Sequence, residues 1–165
     1  MKIISLSAAA VMIAVAGCTS SPTSMSGPHS ANHDRSAPQA TISTPSTHSF
    51  DETVSRLRAA LQSRPVEIFA EVDHAKGAAE AGMTLPPSTL FIFGNPQAGT
   101  PIMQANPALG IELPMKILVL ETDSGVYVIR QDISAILRQY QVSPDDTPAA
   151  KVEDTLNGIV MEAAG

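Results

Sequence analysis

Two histidine neighbourhoods are where side chains of this chain could first do chemistry. His74 follows Asp73, and His29 and His33 stand four apart with Asp34 beside the second. An imidazole titrates near neutrality, so it can serve as base, ligand or pH switch. A general base needs a partner within hydrogen-bond reach, and adjacent residues on a helix do not face each other. The competing reading makes Asp73 a helix cap and His74 a first-turn surface residue. His29 and His33 would share a face only on a helix. The Ser/Thr/Pro-rich segment around them does not favour one, and no metal site is predicted there.

A third group lies in Leu90–Asn106, LFIFGNPQAGTPIMQAN. Leu90, Phe91, Ile92 and Phe93 form a continuous apolar run that reads as a buried strand. Gly94-Asn95-Pro96 and Gly99-Thr100-Pro101 break it, because proline fixes φ and glycine tolerates positive φ. Thr100 then Pro101 reads as an N-cap followed by the first helical residue. The polar side chains of Asn95, Gln97, Thr100 and Gln104 collect at this strand end. Asn95 can donate and accept through its amide or bond its own turn. Asp73, His74, Asn95, Thr100 and Gln104 are the ligand-binding candidates, with no catalytic residue assigned. One polar pocket shared by His74 and Asn95 is the expectation. Strands that pair antiparallel would part them unless the strand order changes or the segment after Gly99 folds back.

Other motifs are absent. No zincin spacing, P-loop, dinucleotide glycine pattern or nucleophile elbow occurs. Asp123 reads as a turn residue and Met115 as a gap filler. No cofactor is implied. The net charge is −6, and an acidic chain without a basic stripe is a poor nucleic-acid binder.

The elements that must position these residues follow from periodicity. Thr41–Thr44 reads as an edge strand. Ser49 to Glu52 fits a capping box, and Phe50, Val54, Leu57 and Leu61 make one apolar stripe that ends at Arg64-Pro65. Val66, Ile68, Ala70 and Val72 alternate with acidic residues as a half-buried strand, with Phe69 out of pattern. A short helix runs from Asp73 to Ala81, closed by Gly82. Met115–Thr122 and Val126–Gln131 flank an Asp123-Ser124-Gly125 hairpin. Asp132 caps a helix with Ile133, Ile136, Leu137 and Tyr140 on one side. A last helix starts at Thr147-Pro148 and carries Val152, Leu156, Ile159 and Val160. Adjacent strands with segregated helices predict an α+β fold, an antiparallel sheet with helices on one face.

The N-terminus reads as targeting. Lys2 precedes an apolar stretch too short for an ordinary membrane span. Val15-Ala16-Gly17-Cys18 resembles the lipobox of bacterial lipoproteins. That resemblance implies residues 1–17 as a signal peptide, cleavage after Gly17 and lipid on Cys18, the one cysteine of the chain. With Thr19 rather than Asp next, it implies an outer-membrane anchor facing the periplasm. Residues 18–39 then form a flexible linker and residues 40–165 a single domain.

SFDETVSRLRAALQ, EVDHAKGAAEAGMTLPPSTLFIFGNPQAGTPIMQAN and ELPMKILVLE together resemble the domain-of-unknown-function 302 family, over about residues 48–132. The FGNP turn, the GTP that follows and the DHA triplet carry the likeness. It implies a strand–helix–four strands–helix plan like one repeat of the TATA-binding protein, and no established activity. Members carry Tyr-Asn-Asp after the hairpin, where this chain has Arg130-Gln131-Asp132. DNA binding does not follow from such a fold. The function expected is a lipid-anchored envelope module that binds a small ligand or a protein partner. The alternative is a small hydrolase or isomerase with His74 as general base.

Overall fold

The computed structural model describes residues 40–165. The signal segment, Cys18, His29, His33 and Asp34 lie outside the described residues. Five strands form one antiparallel sheet: β1 (Thr41–Pro45), β2 (Glu67–Asp73), β3 (Ser88–Gly94), β4 (Met115–Thr122) and β5 (Gly125–Gln131), in the order β1-β5-β4-β3-β2. Helix α1 (Phe50–Gln62) joins β1 to β2, and α5 (Ala149–Ala164) closes the chain. Three shorter helices are inserted, α2 (His74–Glu80), α3 (Pro96–Ala105) and α4 (Ile133–Gln139), with a 3-10 turn at Pro107–Ile111. This is the α+β plan read from the periodicity.

The helices begin where short polar side chains supply acceptors. Ser49, Asp73 and Asp132 accept from the amides of Glu52, Lys76 and Ala135, each replacing a bond the first helical turn lacks. Glu52 does not complete a capping box. Its carboxylate lies 3.2 Å from Nδ1 of His48.

The core sits between the sheet and α1, α4 and α5. Leu57, Leu61, Phe91, Ile117, Val128 and Ile159 are all fully buried there. Phe91 and Phe93 point to the helices, whereas Leu90 and Ile92 lie half-buried on the other face. The continuous apolar run in β3 thus serves two faces unequally.

β2 departs from its simple alternation. Its register slips between Ile68 and Ala70, so Phe69 is the extra residue of a β-bulge. Cross-strand partners share a face. Ile68 pairs with Phe93 on the helical side, but beyond the bulge it is Glu71 that pairs with Phe91. Ala70 and Val72 are turned to the opposite face, which corrects the expectation of one apolar face from Val66 to Val72. An extra residue reverses the sidedness of everything after it. Arg58 of α1 answers the inward carboxylate, donating through Nε to Glu71 at 3.0 Å and lying over the Phe91 ring.

Arg130 is buried on the helical side of β5 and ties the sheet to α5. It is 4% exposed, lies 2.8 Å from Glu153 and donates to Asn157 at 2.7 Å. A buried charge needs this kind of complete pairing.

Candidate functional site

Asn95 ends β3 and starts α3. Its Oδ1 accepts from the amide of Gln97 at 2.8 Å, while Nδ2 donates to the carbonyl of Pro65 at 2.6 Å. The helix therefore starts at Pro96, with Asn95 as its N-cap. This corrects the assignment of Thr100-Pro101 as cap and first residue. Pro96 already supplies the fixed φ of a first position, and Pro101 falls inside the helix, where it forgoes one backbone bond. Thr100 and Gln104 are exposed on α3.

The α3 turn, residues 64–66 after α1 and the start of α5 line an open cavity of about 630 Å³. That is within the usual range for small-molecule pockets. Half-buried Val66, Leu113, Pro148 and Val152 give it an apolar surface, laid over buried Phe93, Ile102, Met115 and Leu156. Asn95, Gln97, Arg64, Lys151, Asp154 and Thr155 supply polar edges. Arg64 is held in place: it donates to the Ala60 carbonyl at 2.6 Å and to both oxygens of Glu162, at 3.0 and 2.6 Å. These bonds raise the Arg64 pKa and hold the Glu162 carboxyl below the usual range. Gly158 permits the approach, since a Cβ there would meet Arg64 Nη2 at 3.2 Å.

Asp73 and His74 lie at the other end of the sheet. Glu67 pairs with Gly94 and Asp73 with Thr89. The seven-residue strand therefore puts roughly 20 Å between them and Asn95, at about 3.3 Å per residue. The shared pocket of His74 and Asn95 is not formed, because β2 and β3 are antiparallel neighbours. Asp73 caps α2 and His74 is exposed. Of the five candidates the cavity includes Asn95 alone.

Arg64, Lys151, Asp154 and Thr155 were not among the sequence candidates. Their signal is faint: Lys151, Asp154 and Thr155 are polar residues interleaved with Val152 and Leu156 on the last helix, and Arg64 stands only as the residue before the Pro65 helix stop. Arg130 and Gln131 serve structure here. Arg130 holds α5, while Gln131 accepts from the Lys116 amide at 2.9 Å and donates to the Glu112 carbonyl at 3.3 Å. Lys116 Nζ donates to the same carbonyl at 2.9 Å, and burial lowers its pKa. Tyr140 donates to Glu112 at 3.1 Å. Among the described residues, no group of three or more His, Cys, Asp and Glu is placed to hold a metal.

Sheet order, inserted helices and the cavity define a small α+β domain with an apolar cleft at a strand end. The family model described as domain of unknown function DUF302 matches residues 42–163, and the chain belongs to that family. A crystal structure of an uncharacterized conserved DUF302 protein from Bacillus stearothermophilus superposes with a TM-score of 0.67 at 17% identity, covering 76% of this chain and 99% of that one. The likeness establishes the fold. The chain is 37% identical over 124 residues to the fluoride-specific ion channel FluC 1 of Brucella suis, covering 74% of this chain and 49% of that protein. Fluoride-specific ion channel FluC 2 of Brucella melitensis matches at 37% over 46% of its length. The chain thus spans about half the length of these curated relatives. Among the described residues no helix is long and apolar enough to cross a membrane.

Proposed function

We propose that this chain is a lipid-anchored envelope protein whose DUF302 domain binds a small ligand in the cavity between α3, α5 and residues 64–66. The cavity carries this reading, because an apolar floor with a few fixed polar groups is what a ligand site requires. The anchor rests on Val15-Ala16-Gly17-Cys18. Mass spectrometry of the mature N-terminus tests it, and an unmodified Cys18 rejects it. Binding is tested by thermal unfolding of the mature protein against a metabolite and ion set that includes fluoride. A ligand that binds only the native state raises the midpoint. If none of the set shifts it, the binding reading fails.

The relatives favour a second reading, in which the domain assembles with an ion channel of the envelope. Co-purification of a channel with the tagged mature protein tests this, and its absence after crosslinking rejects it. Chemistry by His74 gains no support from the cavity, whose lining contains no histidine.

A further inference from the structure

The two faces of the sheet are covered unequally. On the helical face Phe91, Ile117 and Val128 are 0% exposed. On the other face Leu90, Ile92, Leu118, Leu120 and Ile129 are only half-buried, so no complete layer lies over them. Register aligns Val72, Leu90, Leu118, Ile129 and Ser43 in one row across the sheet. Exposed Phe69 leans over the same face, since a Cβ on Gly94 would meet its ring at 3.4 Å. Charge is sparse there. Lys116 belongs to the face, but its Nζ turns to the strand end and donates to the carbonyls of Glu112 and Pro114, at 2.9 and 3.1 Å. Glu67 stands at a corner, opposite Gly94. With strands about 4.8 Å apart and a rise of about 3.3 Å per residue, the face covers roughly 550 Å². An open apolar patch of that size marks an interaction site.

We infer that this open face pairs with the same face of a second copy of the chain, as a two-fold dimer. Two such faces bury roughly 1,100 Å² in all, above the ~1,000 Å² that a specific interface needs. A second copy brings a sheet of the same twist, and twisted sheets of one hand pack face to face. With Lys116 committed to its own carbonyls, a charged partner finds little to pair with, whereas a second copy is as poor in charge as the face it meets. A two-fold axis crossing the strands lays the Leu90, Leu118 and Ile129 row on its own twin, the self-complementary contact that two-fold symmetry requires. It also sets the two Lys116 residues on opposite sides of the axis. An axis along β4 would bring them together, and like charges repel.

The test cross-links the full chain in whole cells. Packed sheets lie about 10 Å apart, which keeps two facing sulfurs within reach of a short bis-maleimide. Leu118→Cys, at the centre of the row, shifts most of the chain to twice its mass. Met161→Cys, exposed on α5, does not, and neither does the parent, whose one cysteine is Cys18. Leu90→Glu, added to Leu118→Cys, removes the product. Where that chain fails to fold by circular dichroism, Ser43→Glu, an exposed change at the end of the row, takes its place. A Leu118→Cys dimer no more abundant than that of the parent or of Met161→Cys overturns the inference. So does a dimer that the added glutamate leaves intact, and a product of another mass, which would give the face to a different protein.

Discussion

The two ends of the β2–β3 ladder carry similar polar residues and have opposite surroundings. At one end Asp73 caps α2, a seven-residue helix whose buried residue is Ala78, and His74 stands in solvent. At the other, Asn95 caps α3, and residues 64–66 after α1 and the start of α5 close in around it. An aspartate beside a histidine looks more chemical than an asparagine beside a proline. Yet a cavity forms where several elements meet over a strand end, and only the Asn95 end has them. Residue type proposes a site, and packing decides it.

Substitutions can break or sharpen this contrast. The largest effect is expected at Leu156, 1% exposed on α5 and part of the cavity floor. Leu156→Ala should cost about 2–5 kcal/mol by denaturant titration, and a loss under about 0.5 kcal/mol, the range of surface changes, would show that α5 is not packed there. Next comes Asn95→Ala, which removes a helix cap and the bond to Pro65. A loss of about 1–2 kcal/mol is expected, together with altered ligand shifts, since the cavity wall moves. The smallest is His74→Ala, within about 0.5 kcal/mol of the parent and without effect on ligand binding. A His74 variant that impairs binding at the distant cavity would erase the difference between the two ends.

Much of the fold is legible because its signals are local. The caps Ser49, Asp73 and Asp132, the apolar stripe of α1 and the Asp123-Ser124 turn each depend on a few neighbouring residues, and each forms. The start of α3 was misread where two prolines compete: Asn95-Pro96 and Thr100-Pro101 are both cap-like, and the bond from Asn95 to Pro65, distant in sequence, favours the first. Phe69 stands out of the alternation, but Ile68, Ala70 and Val72 keep it, so that a bulge lies there shows only in the register. The cavity was least legible. Arg64, Asn95 and Lys151 come from three separate elements, and no spacing in the chain brings them together.

The bulge at Phe69 bears on how copies of the domain behave when crowded. β2 is an edge strand, and an open edge invites another chain to add to it. An incoming strand would need an unbroken ladder, but the slip at Phe69 interrupts it midway. Two edges meeting would also bring Glu67, Glu71 and Asp73 of each copy together, with Arg58 already committed to its own Glu71. Exposed Phe69 and Val72 thus sit on an edge whose irregularity and charge oppose polymerisation.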